Sequence, residues 1–183
     1  MSTDPHAHLK EKKLQKLRGR AAGAVITVSD RCKSGERPDK SGPLAQELLA
    51  GYGIDVDRVR VVADGIESVQ NEIRAAIAEG ARVVLTTGGT GITERDLTPE
   101  ATAPLLEARL DGIAWQIFQQ GLKATPLSSL SRGLVGITAR GAAGAIVANA
   151  PGSRGGVRDT LSVLGPLLPH LLEQLDPVAF PLD

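Results

Sequence analysis

Residues 82–87, Arg-Val-Val-Leu-Thr-Thr, run without a break into Gly88-Gly89-Thr90-Gly91. An apolar run without alternation is the mark of a strand covered on both faces, which occurs in parallel sheets flanked by helices. Glycines directly after such a strand open backbone torsions closed to other residues, so that successive amides can point at one anion. This junction restricts the chain to an α/β sheet with a ligand loop at the carboxyl end of a strand.

The remaining segments agree. A strand is expected over 22–28, followed by the polar loop SDRCKSGERPDKSG, and Pro43 with Leu44, Leu48 and Leu49 predicts a helix ending near Gly51 or Gly53. The segment 54–63, IDVDRVRVVA, alternates like a strand with one exposed face near an edge. Val69, Ile73, Ala76 and Ile77 predict a helix over 67–79 that Gly80 stops. Thr98-Pro99-Glu100 reads as a helix start with Thr98 as the cap, leading through Leu106, and a second helix is expected around 113–122. Short strands are expected at 134–138 and 145–148, then a helix over 157–175 broken by Pro166 and Pro169. Strands alternating with helices predict one sheet covered on both faces.

With only Trp115, Tyr52, Phe118 and Phe180 as aromatics, the core must be built from Val, Leu, Ile and Ala. The 21 basic and 21 acidic residues cancel, so no global field favours nucleic acid or an anionic membrane. Cys32 is the sole cysteine, which excludes an intrachain disulfide and fits a reducing, cytoplasmic compartment. The basic residues from Lys10 to Arg20 precede no apolar run of the kind a signal peptide needs. Residues 1–20 are therefore expected to be a flexible basic tail, 21–176 one domain and 177–183 a short tail.

The chemistry-bearing residues cluster near strand ends. The Gly88–Gly91 loop lacks the Gly-Lys-Ser/Thr ending of a P-loop, and Glu94 stands where a dinucleotide fingerprint has its third glycine. Asp96 follows the loop, and Asp64 ends another strand in VVADG. Two carboxylates beside phosphates suit magnesium, which shares its oxygen ligands between protein and substrate. On local grounds alone, Asp64 reads first as the cap of the next helix, in a reciprocal box with Glu67. NAPGSRGG, with Pro151, Gly152 and Ser153, is a second glycine turn whose helix amides can hold an anion or simply start a helix. Ser131-Arg132 offers a hydroxyl and a guanidinium fork, or an ordinary surface arginine. His6, His8 and His170 lack partners at ligand spacing, and Cys32 lacks a basic partner.

VSDRCKSGERPDKSG, VVAD, LTTGGTGITERDLTPEA, LSRGLVGI and NAPGSRGG occur in that order over residues 22–175, and together they resemble the MogA/MoaB family of molybdenum cofactor biosynthesis proteins. The resemblance implies a three-layer α/β/α domain with a mostly parallel central sheet, assembled as a homotrimer. It implies adenylyl transfer from ATP to the phosphate of molybdopterin, with Mg2+ present and pyrophosphate released. Asp64 and Asp96 fall on the family's two essential aspartates, as catalytic residues and metal ligands. Thr87, Gly88, Gly89, Thr90 and Gly91 fall on its phosphate loop, and Ser131, Arg132, Pro151, Gly152 and Ser153 on segments lining the pterin pocket, with Ser29 and Asp30 beside it. A protein that binds the pterin without turnover, or a scaffold that recruits other proteins of the pathway, is the alternative within the same resemblance.

Overall fold

The computed structural model describes residues 15–183. Its seven strands are β1 (Ala21–Val28), β2 (Ile54–Asp55), β3 (Val59–Val62), β4 (Val83–Thr87), β5 (Ala108–Arg109), β6 (Val135–Ile137) and β7 (Ile146–Ala150). The helices are α1 (Asp30–Lys33), α2 (Gly42–Gly51), α3 (Ile66–Ala78), α4 (Thr98–Thr102), α5 (Asp111–Leu122), α6 (Arg154–Leu164) and α7 (Leu168–Leu175).

All strands join one sheet, with β4 at its centre, parallel to β1 on one side and β7 on the other. The strands β2 and β3 lie parallel to the outer side of β1, while β6 and β5 extend the β7 side antiparallel. Every residue of β4 is buried, as its unalternating sequence requires. Successive side chains point to opposite faces. On one face Val25, Leu85 and Ala148 pack with Leu49 of α2 and with Leu161, Leu164, Leu168 and Leu172 of α6 and α7. On the other, Ala24, Ile26, Val84 and Val147 meet Val69, Ile73 and Ala76 of α3 and Ala101 of α4. The result is a mixed α/β fold of three layers with a mostly parallel central sheet.

Three local readings change. The expected strand 54–63 is split, because Gln46 Nε2 of α2 donates to Val56 O at 2.7 Å and takes that carbonyl out of the ladder. Ala21 pairs with Ile54 but Val25 pairs with Val59, so one extra residue is accommodated in the outer strand, as at a bulge. Thr98 is not a cap: Leu97 stands at that position, and Thr98 is buried in the first turn of α4. The last helix starts at Arg154 instead of 157, capped by Ser153, whose Oγ accepts from Gly156 N at 3.0 Å. It breaks at the 3₁₀ turn Gly165–Leu167, where Pro166 was expected to break it.

At the chain ends, Leu17 bridges to Leu182 and Arg18 N donates to Pro181 O at 3.1 Å. His6, His8 and Lys10 to Lys13 lie outside the described residues.

Asn149 on β7 is buried and fully engaged. Its Nδ2 donates to Thr86 Oγ1 at 3.0 Å and Thr102 Oγ1 at 2.9 Å, and its Oδ1 accepts from Leu134 N at 3.1 Å. Asn149→Ala should strand these groups and cost about 2–4 kcal/mol. Urea unfolding should then show a lower midpoint with an unchanged slope.

Candidate functional site

The glycine loop is held by close approach of main chains. Gly88 and Gly89 have φ of 104° and 64°, the left-handed region that favours glycine. A Cβ on Gly88 would collide with Val28 O at the end of β1, and one on Gly89 with Thr98 Oγ1. Thr98 fastens the loop, with Oγ1 donating to Gly88 O at 2.9 Å and its amide to Gly89 O at 3.0 Å. From the other side, Gly88 N donates to Ala150 O at 3.0 Å and Thr87 Oγ1 to Pro151 O at 3.2 Å. The loop therefore joins the ends of β1, β4 and β7, where an open α/β sheet places its ligands.

Across from the loop, the end of β1 and the end of β3 are laced together by two aspartates. Asp30 N donates to Asp64 Oδ2 at 3.0 Å, and Asp64 N donates to Asp30 Oδ1 at 3.1 Å. Asp64 thus serves a partner distant in sequence and does not cap α3, whose cap position is Gly65 and whose first turn is tied by Ser68 Oγ to Ala63 O at 2.9 Å. Burial pushes the Asp64 carboxyl above its usual range, and the nearby charge of Asp96 pushes the same way, with Arg31 pulling partly back. Burial acts likewise on Asp96, but there hydrogen bonds outweigh it: the Thr93 hydroxyl donates at 2.7 Å and the Thr93 amide at 2.9 Å. With the Gly91 amide and the Arg132 charge added, Asp96 is held below the usual range. A Cβ on Gly91 would lie 2.8 Å from Asp96 Oδ2, so a side chain here would push that carboxylate out of place.

Between these walls lies a cleft of about 600 Å³. It is lined by Ser29, Asp30, Asp64, Thr87, Gly88, Gly89, Thr90, Gly91, Asp96, Gly152 and Ser153, which the fold thus brings together out of the candidates named above. A second opening of about 280 Å³ lies on the far side of the loop and holds Ser131 and Pro151. Ser131 Oγ donates to Thr90 Oγ1 at 3.2 Å, so it braces the wall between the two. Thr90, Gly91 and Ser153 line both spaces.

Arg132 is placed differently from the expectation of a free phosphate fork. Its guanidinium pairs with Glu100, and it donates to Gly91 O at 2.8 Å and to Asp96 O at 2.7 Å. It braces the 91–96 turn from outside. The cleft also contains Arg31, Arg37, Ser41, Thr93 and Arg95, which sequence reasoning did not single out. Arg95 forms an ion pair with Asp30. The polar loop containing Arg31 and Arg37 was visible as a candidate, but only its fold, with Arg37 N donating to Arg31 O at 3.0 Å, places both along the cleft. Cys32 lines the cleft too, half-buried in α1. Among the described residues no helix is long and apolar enough to cross a membrane.

Residues 24–170 match the family model described as "Probable molybdopterin binding domain". The chain is 38% identical over 148 residues to the molybdenum cofactor synthesis protein cinnamon of Drosophila melanogaster, covering 80% of this chain but only 24% of that protein. It is 37% identical over 153 residues to a molybdopterin adenylyltransferase of Pyrococcus furiosus, covering 81% of this chain and 88% of that one. Among solved structures, a molybdenum cofactor biosynthesis protein of Corynebacterium diphtheriae superposes with a TM-score of 0.79 at 40% identity, covering 86% of this chain and 99% of that one.

The opposite shifts of the two carboxyls have opposite consequences for stability. Native Asp64 holds its proton above the ordinary 3.8, so its contribution is present at low pH and lost as pH rises through that raised value. Native Asp96 ionises below 3.8, so its contribution is present above that value and lost as pH falls through the depressed one. In metal-free buffer, Asp64→Asn should therefore gain stability relative to the parent between about pH 3 and pH 7, while Asp96→Asn should lose it over the same interval. Urea denaturation at stepped pH measures both signs.

Proposed function

Because the chain belongs to the MogA/MoaB family of molybdopterin-binding proteins of molybdenum cofactor biosynthesis, we propose that it is a molybdopterin adenylyltransferase. The observation that carries this reading is the meeting of two cavities at Thr90, Gly91 and Ser153, with the Asp64 and Asp96 carboxylates on one side of the junction. A pterin entering by the smaller opening brings its phosphate to that wall, and ATP lies in the larger cleft. An oxygen of the pterin phosphate attacks the α-phosphorus of ATP. A new P–O bond forms, the bond to the bridging oxygen of the β-phosphate breaks, and pyrophosphate leaves with adenylyl-molybdopterin as the other product.

Both reacting groups are phosphates, so the protein positions them and offsets charge without covalent participation. The amides of Gly89 and Thr90 are offered to developing negative charge in a loop already fixed by Thr98, which costs no rearrangement during reaction. Arg31, Arg37 and Arg95 supply cationic contacts for the triphosphate. The donor set fits Mg2+: Asp64 accepts from the Asp30 amide at Oδ2, its Oδ1 has no hydrogen-bond partner among the described residues, and the ligands on offer are hard oxygens. Asp64 and Asp96 would hold Mg2+, which would supply charge neutralisation at the transferring and leaving phosphates.

A homotrimer is part of the same proposal. Trp115 is 60% exposed and Leu127 69% exposed, and with Leu122 and Leu130 they place apolar surface on and beside α5 that a subunit contact would cover. Sedimentation at micromolar concentration should give three times the chain mass, and a monomer would count against it.

Incubation with molybdopterin, ATP and Mg2+ should release pyrophosphate and adenylyl-molybdopterin. Asp64→Asn and Asp96→Asn should each lower turnover by about a hundredfold or more, with the double variant little worse, since groups serving one ion act as a unit. Pterin binding should survive in all three. Pterin binding without any ATP-dependent product in the parent protein would leave a carrier or scaffold in place of the enzyme.

A further inference from the structure

The larger cleft is lined by three arginines, Arg31, Arg37 and Arg95, and by three aspartates, Asp30, Asp64 and Asp96, so its formal charges balance before any ligand enters. Arg31 and Arg37 form no ion pair with a described residue, whereas Arg95 is committed to Asp30. That pair spans the cleft. Asp30 opens α1 at the end of β1, and Arg95 belongs to the turn that continues the glycine loop on the other wall.

The two ends of the pair differ in freedom. Asp30 is fixed: its amide donates to Asp64 Oδ2 at 3.0 Å, its Oδ1 accepts from Asp64 N at 3.1 Å, and its carbonyl accepts from Ser34 N at 2.8 Å. Its Oδ2 is shut off from solvent and accepts no hydrogen bond, so Arg95 is the group that answers its charge. The main chain around Arg95 is fixed as well, because Leu97 N donates to Arg95 O at 3.0 Å and Arg132 grips the carbonyls of Gly91 and Asp96. The Arg95 side chain is not, being 71% exposed and making no hydrogen bond among the described residues. Its guanidinium can change partner by rotamer rotation alone, with the loop amides and the aspartates left in place.

A triphosphate offers that guanidinium more charge and more paired oxygens than one carboxylate does. Taking Arg95 away, however, leaves Asp30 Oδ2 shielded and without a counter-charge, beside Asp64 and facing further anionic oxygens. A divalent cation that accompanies the phosphates offsets this loss. We infer that the Arg95–Asp30 pair is a latch across the cleft, through which Asp30 makes the site select a polyphosphate carrying a divalent cation over the bare polyphosphate. Asp30 acts here by its charge and is not required as a ligand of the ion. The inference rests on the proposed function only in placing nucleotide phosphates in this cleft.

The test uses the full chain in calorimetric titrations at neutral pH, with Mg2+ present or removed by a chelator. ATP is the first probe, and inorganic tripolyphosphate, which lacks the base, is the second. In the parent, Mg2+ should tighten both by about tenfold or more. Asp30→Asn keeps Oδ1 for the Asp64 amide and removes the charge. It should bind metal-free ATP about fivefold tighter than the parent, with affinity in Mg2+ changed less than about twofold. Arg95→Gln should weaken ATP binding in Mg2+ by about fivefold, and in that background Asp30→Asn should no longer tighten metal-free ATP, since no latch is left to open. Thermal unfolding midpoints of the variants establish that each is folded. Equal tightening by Asp30→Asn in both backgrounds would mean repulsion by charge alone and would overturn the latch. Unchanged affinity in Arg95→Gln would overturn it as well, and either result leaves the proposed function standing. A parent protein that binds neither probe in Mg2+ would overturn both.

Discussion

The main chain of Gly88 lies against the carbonyl of Val28 with no space for a Cβ, and the arrangement of the whole site follows from that approach. It brings the loop after β4 to the end of β1, so the loop's amides and the aspartates beyond β1 and β3 share one cleft. Thr98 then converts proximity into rigidity, because its hydroxyl and amide occupy the two carbonyls that the turn would otherwise leave to solvent. The buried chain continues inward: Thr102 Oγ1 donates to Thr98 O at 2.9 Å and is itself held by Asn149. The glycine loop is thus flexible in composition and fixed in place, the combination that electrostatic preorganisation requires.

Charge in the cleft is divided between two kinds of anchoring. Asp96 is satisfied by Thr93 and remains ionised readily, whereas Asp64 sits deeper with fewer donors and pays for a like charge nearby. A bound cation would relieve that opposition, so the free protein carries an electrostatic cost that a ligand removes. Arg132 contributes from outside the cleft. By gripping Glu100 and two carbonyls of the 91–96 turn, it holds Asp96 in position and does not reach the ligand space itself.

Small residues perform much of the architecture. Gly121 leaves room for Ser128 and Gly156 for Pro151, and the recess between α5 and α6 is lined by Ser128, Asp159 and Thr160 beside the apolar Ile117, Phe118 and Val135. With four aromatic residues in 183, the chain packs its centre with branched aliphatics and leaves Trp115 and Phe118, 5.3 Å apart, on α5 outside it.

Much of this was legible in the amino-acid order. The unalternating run before Gly88 announced a doubly covered strand, and the spacing of Val69, Ile73 and Ala76 announced α3, because burial on two faces and helical periodicity are local consequences of residue type. The glycines of the loop, Asp64 and Asp96 could be singled out for the same reason. Local chemistry misjudged Thr98 and Asp64, both of which looked like caps. Each has a competing partner far away in sequence, Gly88 for one and Asp30 for the other, and a cap is optional when a tertiary hydrogen bond is stronger and more buried. The split of 54–63 depended on Gln46, a side chain from another element that no strand pattern contains. Only the tertiary structure could decide that Arg132 faces Glu100, that Arg31, Arg37 and Arg95 enter the cleft, and that Ser128, Asp159 and Thr160 share a recess. Sequence order determines which groups are available and which local geometries they favour, whereas the pairing of groups tens of residues apart is set by how whole elements pack.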